Sequence, residues 1–196
     1  MMSTLVSPPE EKFMTVEEFL AIPEDGISRE LIRGELRERG MTTRNRFHGN
    51  VQSLVCTALQ NWLDGRPEPR GEILSGETGF RLRGTKDSLV GIDVAYVSAE
   101  LVAETDASEM IYNGPPILAV EILSPWDRHK DVVEKVALYH EAGVIVWEVD
   151  PDFRRVAVHR PGQPSKMFSG DDELTTEPEL PGFRVRVSQL FKPRRA

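Results

Sequence analysis

Asp93 and Glu121 each stand where an apolar run should be uninterrupted. Residues 90–98 read VGIDVAYVS and residues 116–123 read PILAVEIL, two segments rich in β-branched and apolar side chains and each suited to an interior strand. An ionised carboxylate in a dry interior costs several kcal/mol unless an opposite charge meets it, roughly as much as many domains have in reserve. Two such acids coexist if one is protonated, if each pairs with a cation, or if both bind one metal ion. Mg²⁺ takes oxygen ligands at ~2.1 Å, so two carboxylates sharing it lie within roughly 4 to 5 Å of each other. The alternative is an aspartate at a strand end and a glutamate paired with an arginine, and the spacing leaves both readings open.

Three further side chains belong to the same question. Lys135 lies on the edge of the apolar stripe Val132, Val133, Val136 and Tyr139, where its stem can bury while its ammonium reaches back toward the carboxylates. A surface pair with Asp131, worth a few tenths of a kcal/mol, is the plainer use of that lysine. His48 opens a helix on its buried face, a place for a packed or capping histidine as much as for a working one. Glu30, in RELIRGELRE, reads as a charge on a strand surface. Asp150-Pro151 reads as a turn, and Tyr139 and Trp147 read as core.

These residues must be positioned by the elements around them. TVEEFLAI, residues 15–22, opens with a capping box and is ended by Pro23 and Gly26. RELIRGELRE makes two short strands about Arg33-Gly34. Val51, Leu54, Val55, Ala58, Leu59, Trp62 and Leu63 form one helical face, stopped by Asp64-Gly65. A strand pair follows (EILSGETGFRLR and VGIDVAYVS), with a helical turn at AELVAE. PILAVEIL leads into Ser124-Pro125-Trp126-Asp127, with serine at N-cap, proline at N1 and aspartate at N3, which predicts a helix from about 125 to 141. Its N-terminus beside Glu121 would suit an anion such as phosphate. The strand VIVWEVD comes next, and FRRVAVHR, KMFSG and GFRVRVSQLF read as strands. Helices alternating with runs of strands predict an α/β fold, a mixed central sheet with helices on its faces and a β-rich C-terminal part.

The chain has 196 residues, enough for one domain, here 14–196, behind a flexible lead-in at 1–13. A hydrophobic share of 39% against 29% charged residues fits a globular chain, and no apolar run approaches the ~20 residues of a membrane span. A lone cysteine, Cys56, rules out an intrachain disulfide and a cysteine-based metal site. With no signal-peptide pattern at the N-terminus, the expectation is a cytoplasmic protein without membrane contact. The net charge of −8 weighs against a polyanionic partner, yet residues 29–46 carry six arginines against three glutamates and the tail KPRRA adds three cations. Mixed charge kept for solubility is the simpler account of that run.

RELIRGELRE, His48, IDVAYVS, the block LAVEILSPWDRHKDVVEKVALYHEAGVIVWEVDP and LPGFRVRVSQLF together resemble the Uma-two family of restriction endonuclease-like proteins, over roughly residues 14 to 192. The resemblance implies the PD-(D/E)XK nuclease fold, a restriction endonuclease-like core in a homodimer. It implies that Asp93 and Glu121 are metal ligands with the backbone carbonyl of Ile122 as the third, and that Glu30 and His48 lie near the site. Ile92 replaces the motif proline, Leu123 stands where the motif has lysine, and Trp126 replaces a common small polar residue. The resemblance implies that the missing lysine arrives from the next helix as Lys135. The expected chemistry is Mg²⁺- or Mn²⁺-dependent hydrolysis of phosphodiester bonds in DNA, with Lys135 positioning or helping to deprotonate the attacking water and His48 and Glu30 completing the shell or touching DNA. A catalytically inactive nucleic-acid-binding or assembly module, and a nuclease-fold enzyme acting on another phosphorylated substrate, are the alternatives.

Overall fold

The computed structural model describes residues 13–39 and 46–191. The lead-in expected at 1–13 falls almost wholly outside them, as do Arg44 and the cations of the KPRRA tail. Helix α1 (Val16–Leu20) carries the expected capping box: Glu18 N donates to Thr15 Oγ1 at 3.1 Å and Thr15 N donates to the Glu18 carboxylate at 2.8 Å. Strands β1 (Ser28–Ile32) and β2 (Glu35–Arg39) form a hairpin about Arg33 and Gly34, whose φ angles of 49° and 78° give the twist a two-residue turn needs. Helix α2 (Arg46–Asp64) buries Val51, Val55, Leu59 and Leu63, the stripe that the i, i+4 spacing predicts. It starts two residues before His48, which puts that side chain in the first turn.

Strands β3 (Glu72–Leu82) and β4 (Ser88–Val97) are a long antiparallel pair with a bulge between Ser75 and Thr78. A helical turn α3 (Ala99–Glu104) precedes β5 (Leu118–Ile122), which is antiparallel to β4. Helix α4 (His129–Glu141) returns the chain to β6 (Ile145–Asp150), parallel to β5, and β7 (Arg155–His159) and β8 (Lys166–Ser169) add antiparallel strands. The described sheet runs β2-β1-β4-β5-β6-β7-β8, with β3 paired to β4. A small hairpin of β9 (Glu173–Leu174) and β10 (Val185–Arg186) and a final turn α5 (Val187–Leu190) complete it. This is the mixed, helix-flanked α/β sheet expected of a restriction endonuclease-like core.

Helix α2 and the C-terminal segment cover one face, where Val51, Val55 and Leu59 meet Val94, Val120, Trp147 and Phe183. Helices α3 and α4 cover the other, where Leu138 and Tyr139 meet Ala95, Val97, Ala119 and Val146. Three local expectations need correction. Residues 124–127 form a turn rather than a helix start, because the Asp127 carboxylate accepts from Ser124 N at 2.7 Å while Asp127 N donates to the Ser124 carbonyl at 3.1 Å, and α4 begins only at His129. Val133 is 54% exposed, and Lys135, Leu138 and Tyr139 are the buried positions of α4. GFRVRVSQLF is a strand for two residues only, because Val187 and Leu190, three apart, both turn into the core as α5.

Three arginines of the arginine-rich run are neutralised in place. Arg29 is held by Asp25 and Glu38, while Arg33 reaches Glu141 and Arg37 reaches Glu134, which ties the β1–β2 hairpin to α4.

Candidate active site at a split in the sheet

Strand β3 takes one edge of β4 along its length, and the opposite edge is shared. Strand β1 meets it at Leu89 and β5 meets it from Val94 to Tyr96, so among the described residues no strand pairs that edge over residues 90–93. The strands diverge here and leave backbone groups that other atoms must satisfy. The β4–β5 register runs Val94↔Val120, Ala95↔Ala119 and Tyr96↔Leu118, and one further step sets Asp93 opposite Glu121. Glu30 arrives on β1 from the other side of the split.

Asp93 is buried and its surroundings replace ladder bonds with side-chain bonds. Ile122 N donates to Asp93 Oδ2 at 2.9 Å, His48 Nε2 lies 3.2 Å from the same oxygen, and Gln52 Nε2 donates to the Asp93 carbonyl at 2.8 Å. His48 and Gln52, four residues apart on α2, therefore grip Asp93 from one face of the sheet.

Lys135 and Tyr139, also four apart, grip Glu121 from the other face. Lys135 Nζ is 3.0 and 3.1 Å from the two Glu121 oxygens, 2.9 Å from Glu30 Oε1 and 3.2 Å from the Gly91 carbonyl, one of the groups the split leaves without a strand partner. Tyr139 donates its hydroxyl to Glu121 Oε1 at 2.5 Å. Burial pushes the Glu121 carboxyl above its ordinary range; Lys135 opposes this by less, and the charges of Asp93 and Glu30 add to the rise. Burial also pulls at the Lys135 ammonium, but Glu121 and Glu30 outweigh it, so the amine stays protonated well past neutrality. Burial first, and then the Glu121 charge, keep the Tyr139 phenol protonated as well.

All five side chains singled out in the sequence thus come to this one place, Lys135 facing inward rather than toward Asp131. Tyr139, Gln52 and the Gly91 carbonyl were not foreseen. Tyr139 had a usable signal, since it lies one helical turn beyond Lys135 on the same face.

The donors suit a hard divalent cation in kind. Glu30, Asp93 and Glu121 bring three carboxyl groups to the single ammonium of Lys135, and oxygen ligands are what Mg²⁺ and Mn²⁺ prefer. The arrangement itself divides them: Glu30 and Glu121 converge on Lys135 while Asp93 turns to His48. Among the described residues no group of three or more His, Cys, Asp or Glu side chains is assembled around a metal position. No helix there is long and apolar enough to cross a membrane.

No curated protein matches the chain. Among solved structures, the crystal structure of "a putative nuclease belonging to DUF820 from Anabaena variabilis ATCC 29413" matches with a TM-score of 0.75 at 22% identity, covering 91% of this chain and 97% of that one. At that identity the likeness carries the fold. The family model Uma2, described as "Putative restriction endonuclease", matches residues 16–188 and so spans every element that builds the split. The chain belongs to the Uma2 family, and its architecture is that of the restriction endonuclease-like proteins.

Proposed function

We propose that the protein hydrolyses phosphodiester bonds in DNA as an endonuclease, with Mg²⁺ or Mn²⁺ held by Asp93, Glu121 and the backbone carbonyl of Ile122. One observation carries this reading. Glu30, His48, Asp93, Glu121 and Lys135 come from five separate elements and meet, largely buried, at the one place where the sheet opens. A core built only for stability would not gather three acids there, because apolar packing of similar volume is often the more stable choice.

When bound, the ion lowers the pKa of its water and places positive charge against the phosphate. The chain's own residues do the remaining work. His48 and Ile122 N hold the Asp93 carboxylate in orientation, and Tyr139 does the same for Glu121. Lys135, as an ammonium, orients the attacking water and offsets charge that builds on the phosphoryl oxygens; its protonation makes it a poor base. Glu30 keeps the Lys135 amine at the mouth of the split. A homodimer in the cytoplasm, as expected from the sequence, completes this reading, and light scattering of the purified protein tests the dimer.

The experiment is cleavage of plasmid and of labelled DNA, RNA and nucleotide substrates with Mn²⁺, using Asp93→Ala and Glu121→Ala. Both variants should lose metal-dependent cleavage; cleavage unchanged in both refutes the assignment. A second reading has its own support, since among the described residues no three His, Cys, Asp or Glu side chains are placed to hold a metal ion together. It makes the chain a nucleic-acid-binding or assembly module that keeps the fold without the reaction. Calorimetry separates the two: a nuclease takes up Mn²⁺ in an Asp93-dependent way, and a module does not.

A further inference from the structure

Two aromatic side chains that the fold leaves in water, Trp126 and Phe47, stand close in sequence to groups that hold Asp93. Trp126 is 81% exposed, whereas Trp147 is fully buried and Trp62 partly so. The indole is held out by the closed turn at 124–127, in which Ser124 and Asp127 bond to each other twice. Trp126 is four residues beyond Ile122, whose N–H holds Asp93, so its backbone lies within roughly 14 Å of that contact. Phe47 is 60% exposed and immediately precedes His48, the other partner of Asp93.

Cations accompany both rings. The Arg46 guanidinium lies 4.8 Å from the centre of the Phe47 ring. Arg128, His129 and Lys130 follow Trp126 and are all exposed. Among the described residues neither Arg128 nor Lys130 is engaged in an ion pair, in contrast to Arg29, Arg33 and Arg37 of the hairpin. Exposed aromatic faces interleaved with available cations beside an acidic pocket are the chemistry of a stacking platform for unpaired bases on a phosphate backbone. A continuous duplex offers no base faces to such rings.

We propose that Trp126 and Phe47, with Arg46, Arg128 and Lys130, form a rim that stacks unpaired nucleobases and so directs single-stranded or locally opened nucleic acid to the split. This deepens the reading above, since it rests on nucleic acid as the ligand, but it concerns binding and not the bond-breaking step.

The test is fluorescence anisotropy in EDTA-containing buffer. A labelled oligothymidylate and a duplex of the same length are titrated with the wild type, Trp126→Ala, Trp126→Phe and Phe47→Ala. Indole quenching that is present in the wild type and lost in Trp126→Phe reports contact at Trp126, since Trp62 and Trp147 remain in both, and circular dichroism confirms that each variant is folded. The wild type should favour the single strand, and Trp126→Ala should weaken it roughly 5- to 150-fold, the range for loss of one stacking aromatic. Trp126→Phe should stay within a few-fold of wild type, and Phe47→Ala should fall between. Because no metal is present, a protein that never cleaves still gives a readable answer, and failure of the nuclease reading stays distinct. Equal affinity for single strand and duplex, or a Trp126→Ala affinity equal to wild type, overturns the proposal. So does light scattering in which Trp126→Ala dissociates a dimer while single-strand affinity is unchanged, since the rim then belongs to a second copy of the chain.

Discussion

Lys135→Met is the most revealing single change at the split. The thioether has nearly the reach of the lysine stem but no charge, so the substitution removes the ammonium and little else. Glu30 and Glu121 then lose a partner at 2.9 to 3.1 Å, while their side chains remain only 10% and 17% exposed. Removing one member of a buried ion pair costs about 3–5 kcal/mol, because the other is left as an uncompensated charge. For a chain of this size that is a fall in Tm of roughly 6 to 20 °C. The pH dependence gives a second reading of the same number. Glu121 already titrates above its ordinary range, and Lys135 is the strongest influence holding it down. A carboxyl whose folded pKa is raised contributes stability below its unfolded pKa and loses it as pH rises through the folded value. With the ammonium gone that rise steepens, so the variant should be worst at pH 8 and should recover toward pH 5 as Glu121 takes up a proton. Urea melts of both proteins at the two pH values, in EDTA, measure this. Adding Glu121→Gln to the variant should restore part of the loss at pH 8, since a neutral amide needs no counter-charge. A deficit below about 1 kcal/mol at pH 8, or one of the same size at pH 5, would refute the electrostatic account of the split.

Two further outcomes follow from neighbouring contacts. Tyr139→Phe removes a 2.5 Å donation to Glu121 and should cost about 1.5–3 kcal/mol in the same melts, with recovery toward acid pH for the reason given above. Glu148 is held below the ordinary carboxylate range by its bond to His159, so its contribution is present above the unfolded carboxyl pKa and is lost as pH falls through the folded one. The pair is partly open to water, so His159→Phe should lower stability above the unfolded carboxyl pKa by less than about 1 kcal/mol and leave the strongly acid end of the curve, where Glu148 is protonated with or without His159, within a few tenths.

Period made most of the framework legible. The stripe of α2, the alternation of β4 and the apolar run of β5 each have one solution, and antiparallel pairing of β4 with β5 is enough to bring Asp93 and Glu121 together. The errors arose where polar contacts outrank hydrophobic pattern. A helix wheel assigns Val133 to the core ahead of Lys135, but four oxygens from β1, β4 and β5 draw the lysine inward and the helix rotates accordingly. Serine followed by proline is an ordinary helix start, yet Asp127 closes a turn on Ser124 instead. The carbonyl of Gly91 becomes an acceptor only because β1 and β5 share one edge of β4, a relation between segments nearly ninety residues apart that no local window contains.

The lysine shows that position in space, rather than position in the chain, is what the site selects. A lysine at residue 123 would share a strand face with Glu121 and lie about 6.6 Å along the strand, within reach of its own side chain. Leu123 occupies that place, with its backbone N–H donated to the Val149 carbonyl at 2.8 Å, and the amine comes instead from α4 packed on the same face. If only the location of the charge matters, Leu123→Lys should rescue Lys135→Met. The double variant should regain at least about 1.5 kcal/mol of the 3–5 kcal/mol lost at pH 8, and the gain should shrink as the pH is lowered and Glu121 takes up a proton. Leu123→Lys in the wild-type background, which adds a second cation beside one already in place, should gain nothing. A rescue that persists undiminished at pH 5 would come from packing and not from charge. No rescue at either pH would mean that the contacts of Lys135 with Glu30 and Gly91, which a strand lysine does not reproduce, are the ones that hold the split together.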